Sequence, residues 1–182
     1  MVKEKDLSNL VNRYGLGYQF EKANQKYKRD PETSEKAKAR KTEQQPAKLL
    51  LTWLNEHPEI YPEVRKVIQP DDFLIPLHHS VAVMMFEQLD RGESIFPAGI
   101  LVKFTDAEEK KEVASLFSTR LKYEPDPEQN DKALSDIVRK VKLASIEDEM
   151  THTNDITRWQ ELISQKNKIQ RLDLHIYKEK NR

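Results

Sequence analysis

The side chains able to do chemistry in this 182-residue chain are few and scattered. His78 and His79 are adjacent, so on a helix they project about 100° apart and do not jointly face one metal ion. They read as ordinary residues of a helix start. His57 precedes Pro58 at a predicted helix end, where an imidazolium complements the helix dipole. His152 and His175 stand alone. Asp71-Asp72 and Glu147-Asp148-Glu149 lack the spaced partners of a Mg²⁺ site or an acid–base pair, and read as caps and solvated charge. The absence of cysteine excludes disulfides, thiolate zinc sites and cysteine nucleophiles. Gly15 and Gly17 are not followed by Gly-Lys-Ser or Gly-Lys-Thr, so there is no phosphate loop. Met84-Met85-Phe86 suits a core better than a cofactor box. No catalytic, metal-ligating or cofactor-holding constellation is visible, and the chain reads as a binder.

Trp159 is then the most informative single residue. It is bordered by Arg158 and Gln160 on the last predicted helix, an element too thin to bury it alone. Tryptophan and arginine are enriched at interface hot spots; packing on the partner helix of a hairpin is the alternative.

The elements that must position these residues are helical. Only four glycines occur, and alternating β-branched runs are scarce. Hydrophobic content is 37% and charged content 34%, which suits one modest core with solvated helices. No apolar run approaches the roughly 20 residues of a membrane span, and the first residues lack the apolar centre of a signal peptide. Net charge is zero but uneven. Residues 1–45 carry 11 basic and 7 acidic side chains, and residues 46–124 carry 9 and 13. An acidic middle weighs against phosphate-backbone binding there.

Along the chain, "EKDLSNLVNRYG" predicts a short helix with Leu7, Leu10, Val11 and Tyr14 on one face. Residues 22–45 read as a basic linker, partly helical from Ser34 to Lys41. Pro46 is expected to open the compact region at a first helical turn, with Leu50, Trp53 and Leu54 on one face. Pro58, Pro62 and Pro70 then divide the chain into short helices, and "PDDF" forms one turn that drops Phe73 into the core. "PLHHSVAVMMFEQLDRG" is the most apolar helix, with Leu77, Val81, Met84, Met85 and Leu89 in register and Gly92 closing it. "FPAGILVKF" is read as helix because Pro97 fits a first turn. Thr105 and Glu108 form an expected capping box before a helix that turns Val113, Leu116 and Phe117 inward.

Asp126 caps, and Pro127 starts, a long helix to about Met150, with Leu134, Ile137, Val138, Val141, Ala144 and Ile146 near one stripe. After the turn "THTND" a second long helix is expected from about Asp155 to Tyr177. Its stripe is Ile156, Trp159, Leu162/Ile163, Ile169, Leu172 and Ile176. The fold expected is all-α: a compact multi-helix bundle over residues 46–124, then a long antiparallel helical hairpin over residues 125–182.

The stretch "PAKLLLTWLNEHPEIYPEVRKVIQPDDFLIPLHHSVAVMMFEQLDRGE" resembles the start of the C-terminal helicase-binding domain of bacterial DNA primase. That family shows an apolar helix, a His-Pro step (here His57-Pro58), a short helix, a "DDF"-like turn and a further apolar helix. "ALSDIVRKVKLASIEDEM" and "ITRWQELISQKNKIQRLDLHIY" resemble the family's closing helical hairpin. The resemblance covers residues 46–182 and rests on helix order and apolar spacing. It leaves residues 1–30 as a candidate tail of the preceding polymerase core.

What the resemblance implies is a non-catalytic module that docks primase onto the N-terminal domain of the replicative helicase. The hairpin would supply most of the attachment and the bundle would modulate helicase activity. It also implies a cytoplasmic protein at the bacterial replication fork, with no cofactor, small-molecule substrate or membrane, and weak or no direct nucleic-acid binding. The zinc-binding and catalytic modules of primase do not fall in the matched residues, so the chain alone is not expected to make primers.

Helix-in-groove recognition needs apolar anchors at i, i+3/4 and i+7. Ile156, Trp159 and Ile163 supply that spacing, Ile176 and Tyr177 extend it, and Arg158, Lys166 and Arg171 are expected to form rim charge pairs. Two other classes fit less well. A collar-type N-terminal domain of a replicative helicase should lead into an ATPase. A helical nucleic-acid binder would use residues 22–41.

Overall fold

The computed structural model describes residues 34–122 and 124–177, with side chains from Gln45 onward. All regular structure among these residues is helical. The α-helices are α1 (Ser34–Glu56), α2 (Tyr61–Arg65), α3 (Pro76–Asp90), α4 (Pro97–Leu101), α5 (Ala107–Ser118), α6 (Pro127–His152) and α7 (Ile156–Gln170). Two 3₁₀ turns, Pro58–Ile60 and Pro70–Asp72, join the early helices. The helix expected near residues 4–15 lies outside the described residues.

Proline sets most of these boundaries. Pro58, Pro62, Pro70, Pro76, Pro97 and Pro127 each occupy the first or second position of an element. There the missing N–H costs no intrahelical bond and the fixed φ suits the first turn. Pro46 departs from the expectation, because it lies inside α1 rather than at its start. An internal proline removes one backbone bond. The helix carries through because its flanks are lysine, alanine, glutamate, glutamine and leucine, all strong helix formers. One continuous helix therefore crosses the expected boundary between residues 45 and 46.

Capping completes the punctuation. Asp126 accepts the Glu128 N–H at 3.0 Å to start α6. α5 is capped by Asp106, not Thr105: Oδ1 of Asp106 accepts from the N–H groups of Glu108 and Glu109 at 2.9 and 3.0 Å. A carboxylate one residue nearer the helix displaces the expected hydroxyl cap. Gly92 ends the chain's path out of α3 at φ +71°, a left-handed conformation that glycine takes without steric cost.

The core forms where these short elements meet. Phe73 is fully buried, dropped inward by the Pro70–Asp72 turn, and meets Phe86 edge-on at 6.3 Å. Tyr61 approaches the same Phe86 ring edge-on at 5.1 Å. The α3 residues Val81, Ala82, Met85 and Phe86 are buried, while Leu77, Met84 and Leu89 pack around them half-buried. From α1 come Leu50, Leu51, Trp53 and Leu54, and from α6 Leu134, Val138 and Val141. These belong to one cluster, so a division at residue 125 does not separate two cores.

α6 packs on α1 and also on α7. Its contacts with α7 run in opposite chain directions. Arg158 Nε lies 2.7 Å from Glu149, Lys166 Nζ lies 2.7 Å from Glu147, and Arg139 donates to the Gln170 carbonyl at 3.4 Å.

The last helix is shorter than expected: α7 stops at Gln170, and residues 172–175 are not helical. The cause is tertiary. Two buried polar residues of α6 take the backbone N–H groups of the returning chain. Ser135 Oγ accepts from Leu174 at 2.8 Å, and Asp131 Oδ1 accepts from Ile176 and Tyr177 at 2.9 Å each. Leu174 enters the main core, and Trp53 Nε1 donates to the Tyr177 hydroxyl at 2.7 Å. These bonds fix a path that a continued helix could not follow.

A second tie holds the Pro70–Asp72 turn to α6. Asp72 is buried, accepts the Gln69 N–H at 2.8 Å, and receives Lys142 Nζ at 2.9 and 2.8 Å. Lys142→Ala would leave that carboxylate buried without its cation. It should lower the unfolding free energy by about 3 kcal/mol in a urea titration, with Asp72→Asn/Lys142→Met recovering part of the loss. Asp131→Ala should raise amide exchange at Ile176 and Tyr177 by about tenfold, and leave the buried amides of α1 unchanged, as read by hydrogen exchange.

Candidate functional site

α7 begins at a well-made cap, with Asp155 Oδ1 accepting from Thr157 at 2.8 Å and Arg158 at 3.4 Å. One side of the helix faces α6. Leu162 is fully buried there and Ile146 is buried on α6, both outside the main cluster. The opposite side is open. Ile156 is 76% exposed and Trp159 44%, the two most exposed large apolar side chains of this helix, and Ile163 is half-buried.

The sequence-predicted binding residues therefore separate into groups. Ile156, Trp159 and Ile163 share one outward face, at the spacing that helix-in-groove docking requires. Arg158 and Lys166 do not stand at a rim awaiting foreign carboxylates. Arg158 is bound by Glu149 at 2.7 and 3.0 Å and by Glu161 at 2.9 Å, and Lys166 by Glu147. The hydrogen bonds to Glu149 and then Glu161 make the Arg158 guanidinium still more basic than usual. Arg171 is exposed just beyond the end of α7. Ile176 and Tyr177 belong to the returning segment: Ile176 packs against the main core and Tyr177 is half-buried against Trp53. Ion pairing to α6 and the return of the chain thus remove four of the eight residues from the outward face.

Sequence reasoning missed a second exposed apolar pair. Phe96 is 62% exposed and Val102 74%, one at each end of α4. The Phe96 ring lies on Gly99, where an added Cβ would sit 2.4 Å from Phe96 Cδ1. The signal was a glycine inside a predicted helix, which marks close approach.

It also missed the burial of His78. Both ring nitrogens of His78 lack a hydrogen bond among the described residues, and Nε2 stands 3.4 Å from Glu112 Oε1. Nearby, Lys48 Nζ donates to Ser115 Oγ at 2.9 Å, and that hydroxyl donates to the Glu112 carbonyl at 2.6 Å. Ser115 is thus engaged with backbone and lysine, which gives no nucleophile–base pair. His57 and His79 meet Glu59 and Asp71 at 3.0 and 3.2 Å, and His152 sits near Asp148 in the last turn of α6. Among the described residues no three His, Asp or Glu side chains gather to hold a metal ion. None of the described helices is long and apolar enough to cross a membrane.

Burial pushes the His78 imidazole down from its ordinary value; Glu112 opposes this and Lys48 adds to it. The folded state then holds His78 neutral where the unfolded chain takes up a proton. Stability should be full well above the unfolded value of about 6.5 and decline as pH falls through and below it. In chemical denaturation across that range, His78→Leu should show a shallower decline than the parent chain.

Comparisons of the chain with family models, with curated proteins and with solved structures find no match.

Proposed function

We propose that this chain is a non-catalytic protein-docking module whose partner is the N-terminal domain of a replicative helicase. The observation that carries the docking role is the outward face of α7, where Ile156 and Trp159 stand exposed beside Ile163. The partner's identity comes from the resemblance of residues 46–182 to the helicase-binding domain of bacterial primase. Replication-fork action in the bacterial cytoplasm belongs to the same reading.

The mechanism needs no chemistry beyond burial. Ile156, Trp159 and Ile163 offer anchors at i, i+3 and i+7 to an apolar groove. Removing on the order of 200 Å² of apolar surface from water gives about 5 kcal/mol before the entropic cost of association. α6 presents the anchors ready-made, because Leu162 and the Arg158 and Lys166 ion pairs fix α7 before any partner arrives. In this reading the bundle of α1–α5 bears on helicase activity through contacts separate from the anchor face.

Trp159→Ala should weaken binding to the helicase N-terminal domain by about 2 kcal/mol or more, roughly 30-fold. Titration calorimetry measures the affinity, and circular dichroism should show unchanged helicity. Equal affinity for parent and variant would remove Trp159 as an anchor, and no binding by the parent chain would sink the helicase assignment.

A further inference from the structure

α7 reaches the rest of the fold by two attachments of different kinds. The first is its own inner side. Leu162 is its one buried side chain, and with Ile146 it lies outside the main core. The ion pairs of Arg158 and Lys166 orient the helix but are made at the surface, where such pairs add little. A helix of 15 residues is marginal in water on its own.

The second attachment is the segment that follows. Leu172, Leu174 and Ile176 pack on or within the main core, while Asp173 and His175 stand exposed. That period of two belongs to an extended chain laid on a surface. Asp131 and Ser135, one helical turn apart, share a face of α6 and are both buried. Between them they accept the N–H groups of Leu174, Ile176 and Tyr177. The Tyr177 hydroxyl takes the indole N–H of Trp53 on α1, and His57 meets the Tyr177 ring edge-on at 6.1 Å. The segment thus straps the end of α7 to α6 and to α1.

We propose that residues 172–177 are a latch for α7, and that strap and helix open and close as one unit while the bundle stays folded. Lifting the strap hands Asp131 and Ser135 to water rather than orphaning them, so the opening forfeits a few bonds and the burial of Leu174. With its far end free, α7 keeps only the contact of Leu162 and its surface ion pairs, too little to hold a marginal helix. The dependence runs both ways. Arg139 donates to the Gln170 carbonyl at 3.4 Å, where helix meets strap, and an undocked α7 no longer delivers the chain to that point. The bundle needs neither element, because Leu50, Phe73, Met85, Leu116 and Val138 all precede α7 in the shared core. Resting on the reading of the preceding subsection, the closed latch is the state that presents Ile156, Trp159 and Ile163 on a formed helix.

Native-state hydrogen exchange of the full chain alone, across low urea concentrations, reads this opening. The amides of Leu162 and Ile163 in α7 and of Leu174, Ile176 and Tyr177 in the strap should share one opening free energy and one urea dependence. Both should lie below those of Met85 in α3. Leu162 is outside the core cluster that the strap joins, yet Leu162→Ala should speed the strap amides at least tenfold. Leu174→Ala should likewise speed Leu162 and Ile163. Tyr177→Phe keeps the ring and loses only the Trp53 bond, and should speed the same α7 amides about threefold. Lys142→Ala weakens a tie within the bundle that both states keep, so it should speed Met85 and leave α7 and the strap unchanged. Strap amides indifferent to Leu162→Ala overturn the latch. So do α7 amides that exchange only together with Met85, or a Lys142→Ala chain in which all of them speed up equally. The helicase titration stands or falls separately, because no partner is present in this measurement.

Discussion

α6 is covered on two sides, and the rest of the molecule follows from that constraint. Leu134, Val138 and Val141 share one core with Leu50, Leu51 and Leu54 of α1. Another side takes α7 through Leu162 and the ion pairs of Glu147 and Glu149. Because α6 meets only one side of α7, the other side has no neighbour within the described fold. The exposed Ile156 and Trp159 are a consequence of layer arithmetic: a helix at the edge of a bundle buries one stripe only.

Polar groups inside the fold act as joints. Asp72 with Lys142 ties a 3₁₀ turn to α6 across 70 positions of sequence. Asp131 and Ser135 receive the backbone of the returning C-terminal segment. In both cases a buried polar side chain is satisfied by a distant partner, as low-dielectric burial requires. His78 differs, since its ring nitrogens lack hydrogen bonds among the described residues and the proton is held off by burial. The same principle distributes charge around α7. Arg158 and Lys166 are satisfied at home, so Ile156, Trp159 and Ile163 are left to apolar contact.

This separation gives the proposed docking surface its character. A face with internally paired flanking charges associates with little salt dependence and gains little from electrostatic steering. Selectivity must then come from shape and from where Trp159 finds a cavity. A bulky aromatic held at the edge of a rigid pair of helices is suited to that role, since few degrees of freedom are lost when it is covered. The exposed pair at α4, Phe96 and Val102, offers the bundle a smaller apolar surface apart in sequence from α7.

Local chemistry made much of this fold legible in advance. Six prolines at first turns, the Asp126 cap and the periodic stripes of α3 and α6 act over a few residues, so their consequences can be read from neighbours in sequence. The outward spacing of Ile156, Trp159 and Ile163 was legible for the same reason. The interior position of Pro46, the end of α7 at Gln170, the pairing of Arg158 and Lys166 with α6, and the burial of His78 were not. Each depends on partners far along the chain or on competition between neighbouring caps and flanks. Sequence thus determined that the chain is helical and which stripes are apolar. Only the tertiary structure decided which stripe stays uncovered, because that depends on how many sides of α6 are already occupied.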